Sequence, residues 1–104
     1  MQRGEIWWAN FARPMGRRPV LLLSRDAEYA VRASVTVALV TRTIRNVPVE
    51  VPLDQSDGMP APCVVNVDDL LTVPKTSLDS RIALLAPEKM DLVRDALLFT
   101  LALE

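Results

Sequence analysis

The stretch Gly16-Arg17-Arg18-Pro19-Val20-Leu21-Leu22-Leu23-Ser24 leaves this chain few choices. Its apolar run is too short for a typical helix and reads as a buried strand. Pro19 fixes φ and suits the first residue of a strand. Arg18, just before it, is pushed toward extended geometry. A guanidinium is thereby aimed from rigid backbone at the mouth of a sheet. The 104 residues include no histidine. In such a chain, an aimed arginine near a second polar side chain is a way to handle a phosphate.

Further strands are expected at Glu5 to Phe11, Ser34 to Thr43, Val47 to Leu53, Cys63 to Val67 and Ser80 to Leu85. Ser34 to Thr43 has strong β-propensity. Pro48 and Pro52 mark the 47–53 stretch as an edge. Gln55 to Pro60 is a turn or loop. Short strands at this spacing predict a small barrel or sandwich. The character changes at Ala86-Pro87-Glu88-Lys89-Met90-Asp91, a helix start with proline in the first turn and acids at the positive end of the dipole. The helix is expected over about 87–103, after strands to about residue 85, in one domain covering 1–104. Leu92, Ala96, Phe99 and Leu103 fall on one stripe, with Met90, Val93, Leu97 and Leu101 on the next. That arc is broad for a surface helix, so it is expected to pack on the sheet and also meet another chain.

Hydrophobic residues make up 50% of the chain, which argues against disorder. No apolar run approaches the roughly 20 residues of a membrane span, and the first residues carry no signal-peptide pattern. The lone Cys63 rules out an internal disulfide. These features lead us to expect a cytoplasmic protein. Cys63 reads as a small buried residue, with no histidine to activate it. Without such ligands the usual zinc sites are excluded, and no cofactor is expected.

A net charge of −1 conceals an asymmetry. Residues 1–45 carry eight arginines against three acids, a balance of +5; residues 46–104 carry four bases against ten acids, a balance of −6. All eight bases of the first part are arginine, whose planar fork suits phosphate. An anionic ligand, most naturally nucleic acid, follows.

Thr41 ends the apolar strand Val37-Ala38-Leu39-Val40 and opens a polar run. If its strand and that of Arg18 end on the same side, the two residues can face each other across a shallow cleft. Cleavage of RNA by its own 2′-hydroxyl asks for alignment, stabilisation of the extra negative charge and movement of protons. Arginine and threonine can align and stabilise. Arginine is a poor general base near neutral pH. Protons are moved either by an unusually perturbed guanidinium or by water and the substrate. Arg17, Arg42 and Arg45 flank this centre and are expected to hold neighbouring phosphates. Trp7 and Trp8 fall on opposite strand faces, one for the core, the other for an RNA base or a partner subunit.

These residues carry a resemblance to the MazF/PemK toxins, the ribonuclease half of bacterial toxin–antitoxin pairs. It rests on Arg3-Gly4-Glu5-Ile6-Trp7, on Gly16 to Ser24, on the strand ending Ala38-Leu39-Val40-Thr41, and on Leu84 through Leu103. The resemblance implies a mainly β fold, a small SH3-like (MazF/CcdB-like) β-barrel with a C-terminal helix. It also implies a homodimer, neutralisation by a cognate antitoxin and metal-independent, sequence-selective cleavage of single-stranded RNA. Arg18 and Thr41 fall on the family's catalytic pair. The chain departs from the family in two places. Ala12-Arg13-Pro14-Met15-Gly16 is short and lacks the usual Gly-x-Glu-Gln segment, so a more open gate is expected. The run Asp68-Asp69-Leu70-Leu71-Thr72 replaces acid-Gln-Ile-Arg-Thr, and Asp69 can accept from a base amino group but offers no donor. The competing reading is a protein-binding toxin like the gyrase poison CcdB. Its ending Trp-Gly-Ile is unlike Leu101-Ala102-Leu103-Glu104 here. A third is a catalytically silent RNA-binding module.

Overall fold

The computed structural model describes residues 1–103. It has six strands: β1 (Glu5–Asn10), β2 (Arg17–Leu22), β3 (Ser34–Thr41), β4 (Glu50–Leu53), β5 (Cys63–Pro74) and β6 (Leu78–Leu84). One helix follows, α1 (Pro87–Thr100). The strands form one antiparallel sheet in the order β4-β5-β3-β2-β1-β6, curled into a half-barrel.

Both faces of this sheet are covered, which is why Val20 to Leu23 is apolar without alternation. Ile6, Leu21, Ala38, Val40 and Val65 turn to one face, where Val93 and Ala96 of α1 close the core. Val20, Leu22, Val35 and Val37 turn to the other, where Tyr29 from the β2–β3 connection covers them with Trp7 and Phe11. Burying a side chain the size of Leu21 contributes about 1.5–3 kcal/mol.

Several expected boundaries shift, among them β2, which starts at Arg17 and not at Pro19, and β3, which ends at Thr41 and not at Thr43. The β4 strand starts at Glu50, not Val47, and β6 starts at Leu78, not Ser80. The helix ends at Thr100, with Leu103 beyond it. Most consequentially, β5 does not stop at Val67 but runs to Pro74. Its pairing with β3 jumps from Leu39↔Asn66 to Ala38↔Leu70, leaving Val67, Asp68 and Asp69 as a bulge. Two consecutive acids look like a strand terminus, but a bulge re-aims side chains without ending the strand.

On α1, Val93 and Ala96 are buried, and Met90 and Leu97 pack beside them. Leu92 and Phe99 remain 51% and 56% exposed, so the helix packs on the sheet along the line where the two stripes meet, at Val93 and Ala96, and leaves Leu92 and Phe99 open. Among the described residues, no helix is long and apolar enough to cross a membrane.

Candidate active site

The β2–β3 ladder pairs Val20 with Leu39, Leu21 with Ala38 and Leu22 with Val37. The same register carried two residues further brings Arg18 opposite Thr41. Both side chains line two adjoining clefts, so the pair forms the divide between them.

The first cleft, of about 300 Å³, is bounded by Trp8, Arg17, Arg42, Thr43 and an apolar wall from Met59 to Ala61 and Cys63. That wall hangs on the β4–β5 connection, where Asp54 and Asp57 cap each other's backbone reciprocally. Gly58 follows at φ +91°, and a Cβ there would stand 3.0 Å from Ala83 Cβ. Only glycine suits both the left-handed turn and that approach. The second cleft, of about 220 Å³, has Arg45, Asn66 and Asp69 among its walls. All six residues singled out from the sequence thus gather here: Arg17 and Arg42 at the first cleft, Arg45 and Asp69 at the second, Arg18 and Thr41 between.

Local bonds fix the central pair. Gly16, at φ +68°, turns the chain into β2, and Arg18 Nε donates to the Met15 carbonyl at 2.9 Å. That leaves the terminal guanidinium nitrogens facing the clefts. Thr41 Oγ1 accepts from the Thr43 N–H at 3.1 Å, which leaves the hydroxyl proton free to donate. Among the described residues no carboxylate lies within ion-pair distance of Arg18, Arg42 or Arg45. Arg17 differs. It pairs with Asp79 at 2.8 Å, and its Cζ sits over the Trp8 ring, 4.5 Å from the centroid. Hydrogen bonding from Arg17 holds the Asp79 carboxyl down at about 2.

Cys63 is buried, and burial pushes its thiol up, away from the nucleophilic thiolate. Trp7 packs in the core and donates from Nε1 to Glu5 Oε1 at 3.0 Å, whereas Trp8 faces the first cleft. Two contributors escaped the sequence reading. Asp79 reaches the site because β6 lies beside β1, a strand order with no sequence signal. Glu50 is buried, and its Oε1 accepts from the Arg45 and Asn46 N–H groups at 2.9 and 3.0 Å. It anchors the loop carrying Arg42 and Arg45. A glutamate among valines and prolines at a strand start was its one visible trace.

A family model described as PemK-like, MazF-like toxin of type II toxin–antitoxin system matches residues 2–101. The probable endoribonuclease MazF2 of Mycobacterium tuberculosis is 41% identical over 91 residues, covering 86% of this chain and 87% of that protein. The probable endoribonuclease MazF5 of the same organism is 41% identical over 96 residues, covering 91% and 87%. Among solved structures, the Mycobacterium tuberculosis toxin MazF-mt6 superposes with a TM-score of 0.89 at 31% identity, covering 96% of this chain and 98% of that one. A mycobacterial endoribonuclease in complex with its cognate antitoxin superposes with a TM-score of 0.88 at 27% identity, covering 100% and 97%.

Proposed function

The chain belongs to the PemK-like, MazF-like toxins of type II toxin–antitoxin systems, and from that premise we propose how it cuts RNA and what it binds. It is an endoribonuclease toxin, and the gyrase-poison alternative falls away, because its relatives are endoribonucleases. The substrate is single-stranded RNA, with the scissile phosphate seated on the divide between the two clefts. The observation that carries this reading is the cross-strand placement of Arg18 and Thr41, with cationic walls on both sides.

The 2′-oxygen of the nucleotide attacks phosphorus as the bond to the 5′-oxygen breaks. The 2′-hydroxyl loses its proton and the departing 5′-oxygen gains one. The products carry a 2′,3′-cyclic phosphate and a 5′-hydroxyl. Arg18 donates to the phosphoryl oxygens as charge accumulates there, and the free hydroxyl proton of Thr41 adds a second donor. Such donors act most strongly where they are held in advance of reaction, as the Met15 carbonyl and the Thr43 N–H hold these two. Arg42 and Arg45 hold flanking phosphates, and Asp69 accepts from a base amino group in the second cleft.

Two partners complete the reading. A cognate antitoxin, acidic and apolar, occupies the RNA path along the arginine-lined clefts. A second copy of the chain covers the open stripe of α1 at Leu92 and Phe99. Incubating the purified protein with a long RNA in EDTA, and mapping the ends, tests the activity. Discrete cuts with cyclic-phosphate ends support it; gyrase inhibited while RNA stays intact overturns it. Light scattering at micromolar concentration tests the dimer, and a mass near the single-chain 11.6 kDa refutes it.

A further inference from the structure

Arg17 spends three of its five in-plane hydrogens, those on Nε and Nη2, on the protein itself. Nε and Nη2 grip the two oxygens of Asp79 at 3.1 and 2.8 Å, and Nη2 also reaches Ser80 Oγ at 3.3 Å. Asn10 Nδ2 donates to Asp79 at 3.0 Å and steadies it from β1. The Arg17 charge is therefore met by a carboxylate. Its guanidinium sits over the Trp8 indole, yet 48% of the side chain is open, on the wall of the first cleft. A cation whose charge is paired and whose Nε–Nη2 edge is committed keeps only Nη1 for a phosphate and offers no bidentate fork on that edge. A flat, delocalised surface of this kind is what an unstacked base seeks, since guanidinium planes stack bases as aromatic rings do.

The geometry points to Arg17, backed by Trp8 and clamped by Asp79, as a stacking platform for one RNA base beside the scissile phosphate. The ligand is a nucleobase, and the subsite tolerates any of them because every base presents a π-face. The apolar lining of the same cleft, at Met59 and Ala61, suits the same ligand. Arg17 then differs in kind from Arg42 and Arg45, which meet no carboxylate among the described residues. This subsite rests on the RNA-cleaving reading above.

The test uses an oligonucleotide spanning a mapped cut, with a 2′-deoxy sugar at the cut so that it binds without being cleaved. Arg17→Lys keeps the charge and loses the plane. It is expected to weaken binding about tenfold, leave the salt dependence as it is in the wild type, and lower the melting temperature by no more than Asp79→Asn does. An abasic sugar at one nucleotide next to the cut should cost the wild type a similar factor and the Lys variant little. Trp8→Phe, which keeps a ring behind the guanidinium, should lie between them. Arg17→Lys binding like the wild type would overturn the platform, as would abasic penalties of equal size in both proteins. Wild-type protein that neither binds nor cuts RNA overturns the RNA reading itself, and the platform with it.

Discussion

Arg18 and Thr41 share one cross-strand row, and Pro19 separates that row from the last pair of the ladder, Val20 with Leu39. Proline has no N–H to give the ladder, so pairing to β3 stops there, and the two polar residues stand just past its end. A row two residues beyond a ladder lies about 7 Å from the last paired residues. It is close enough to be held rigidly and far enough for the strands to part over a substrate.

Arg18→Ala and Thr41→Ala should each lower cleavage on the order of 100-fold, the usual cost of losing a transition-state donor. Neither should change the melting temperature much, because Arg18 is exposed and Thr41 only half-buried. Single-turnover cleavage of a saturating oligonucleotide reads the effect on the chemical step. A folded double variant that cuts at the wild-type rate would end the assignment.

Arg42→Ala and Arg45→Ala act on affinity. Each phosphate released from a single strand should change the slope of log affinity against log salt by about 0.7. Each variant should therefore bind many sequences more weakly, show a shallower slope and cut at the same position. Titrations at several salt concentrations decide it. An unaltered slope would mean that neither arginine meets a phosphate, and a moved cut would mean that one of them reads a base.

Glu50 should matter for stability and for RNA affinity together. Replacing it by alanine leaves the Arg45 and Asn46 N–H groups without their acceptor, a loss of about 1–3 kcal/mol when such groups stay buried. The loop carrying Arg45 then loses its anchor. Urea unfolding should show the destabilisation, and the salt slope should shift toward that of Arg45→Ala. Glu50→Gln keeps an acceptor oxygen and should restore most of both. Destabilisation with normal RNA affinity would confine Glu50 to the fold.

The strands and the central pair were legible because each is local. Val20 to Leu23 declares a strand covered on both faces, Pro19 declares where its pairing to β3 stops although the strand itself starts at Arg17, and Thr41 ends the next apolar run. The Asp68–Asp69 bulge was not legible. Its logic lies in the partner strand, where Leu39 and Ala38 are consecutive while Asn66 and Leu70 are not. Asp79 was hidden for a related reason. It meets Arg17 only because β1 lies between β2 and β6, and across a sequence separation of 62 nothing encodes that order locally. The expectation of phosphate-binding for Arg17 came from its residue type and its neighbour Arg18, neither of which shows the pairing with Asp79.

The same pair carries a pH signature. Asp79 is held at about 2, first by the hydrogen bond from Arg17 and then by those from Asn10 and Ser80. An unfolded aspartate titrates near 4. A carboxyl lowered on folding stabilises the native state above its unfolded value, and that contribution fades as pH falls toward the folded one. Asp79→Asn, which cannot ionise, should therefore melt lower than the wild type by a steady margin between pH 7 and about 5. The margin should shrink below about pH 4 and vanish near pH 2. Both partners are largely solvent-exposed, so screening keeps it small, and it should narrow further in high salt. Parallel melting curves of the two proteins across this range provide the measurement. A margin that already shrinks between pH 7 and 5 would show that some other group carries it, and no margin at any pH would show that the clamp on Arg17 adds nothing to stability.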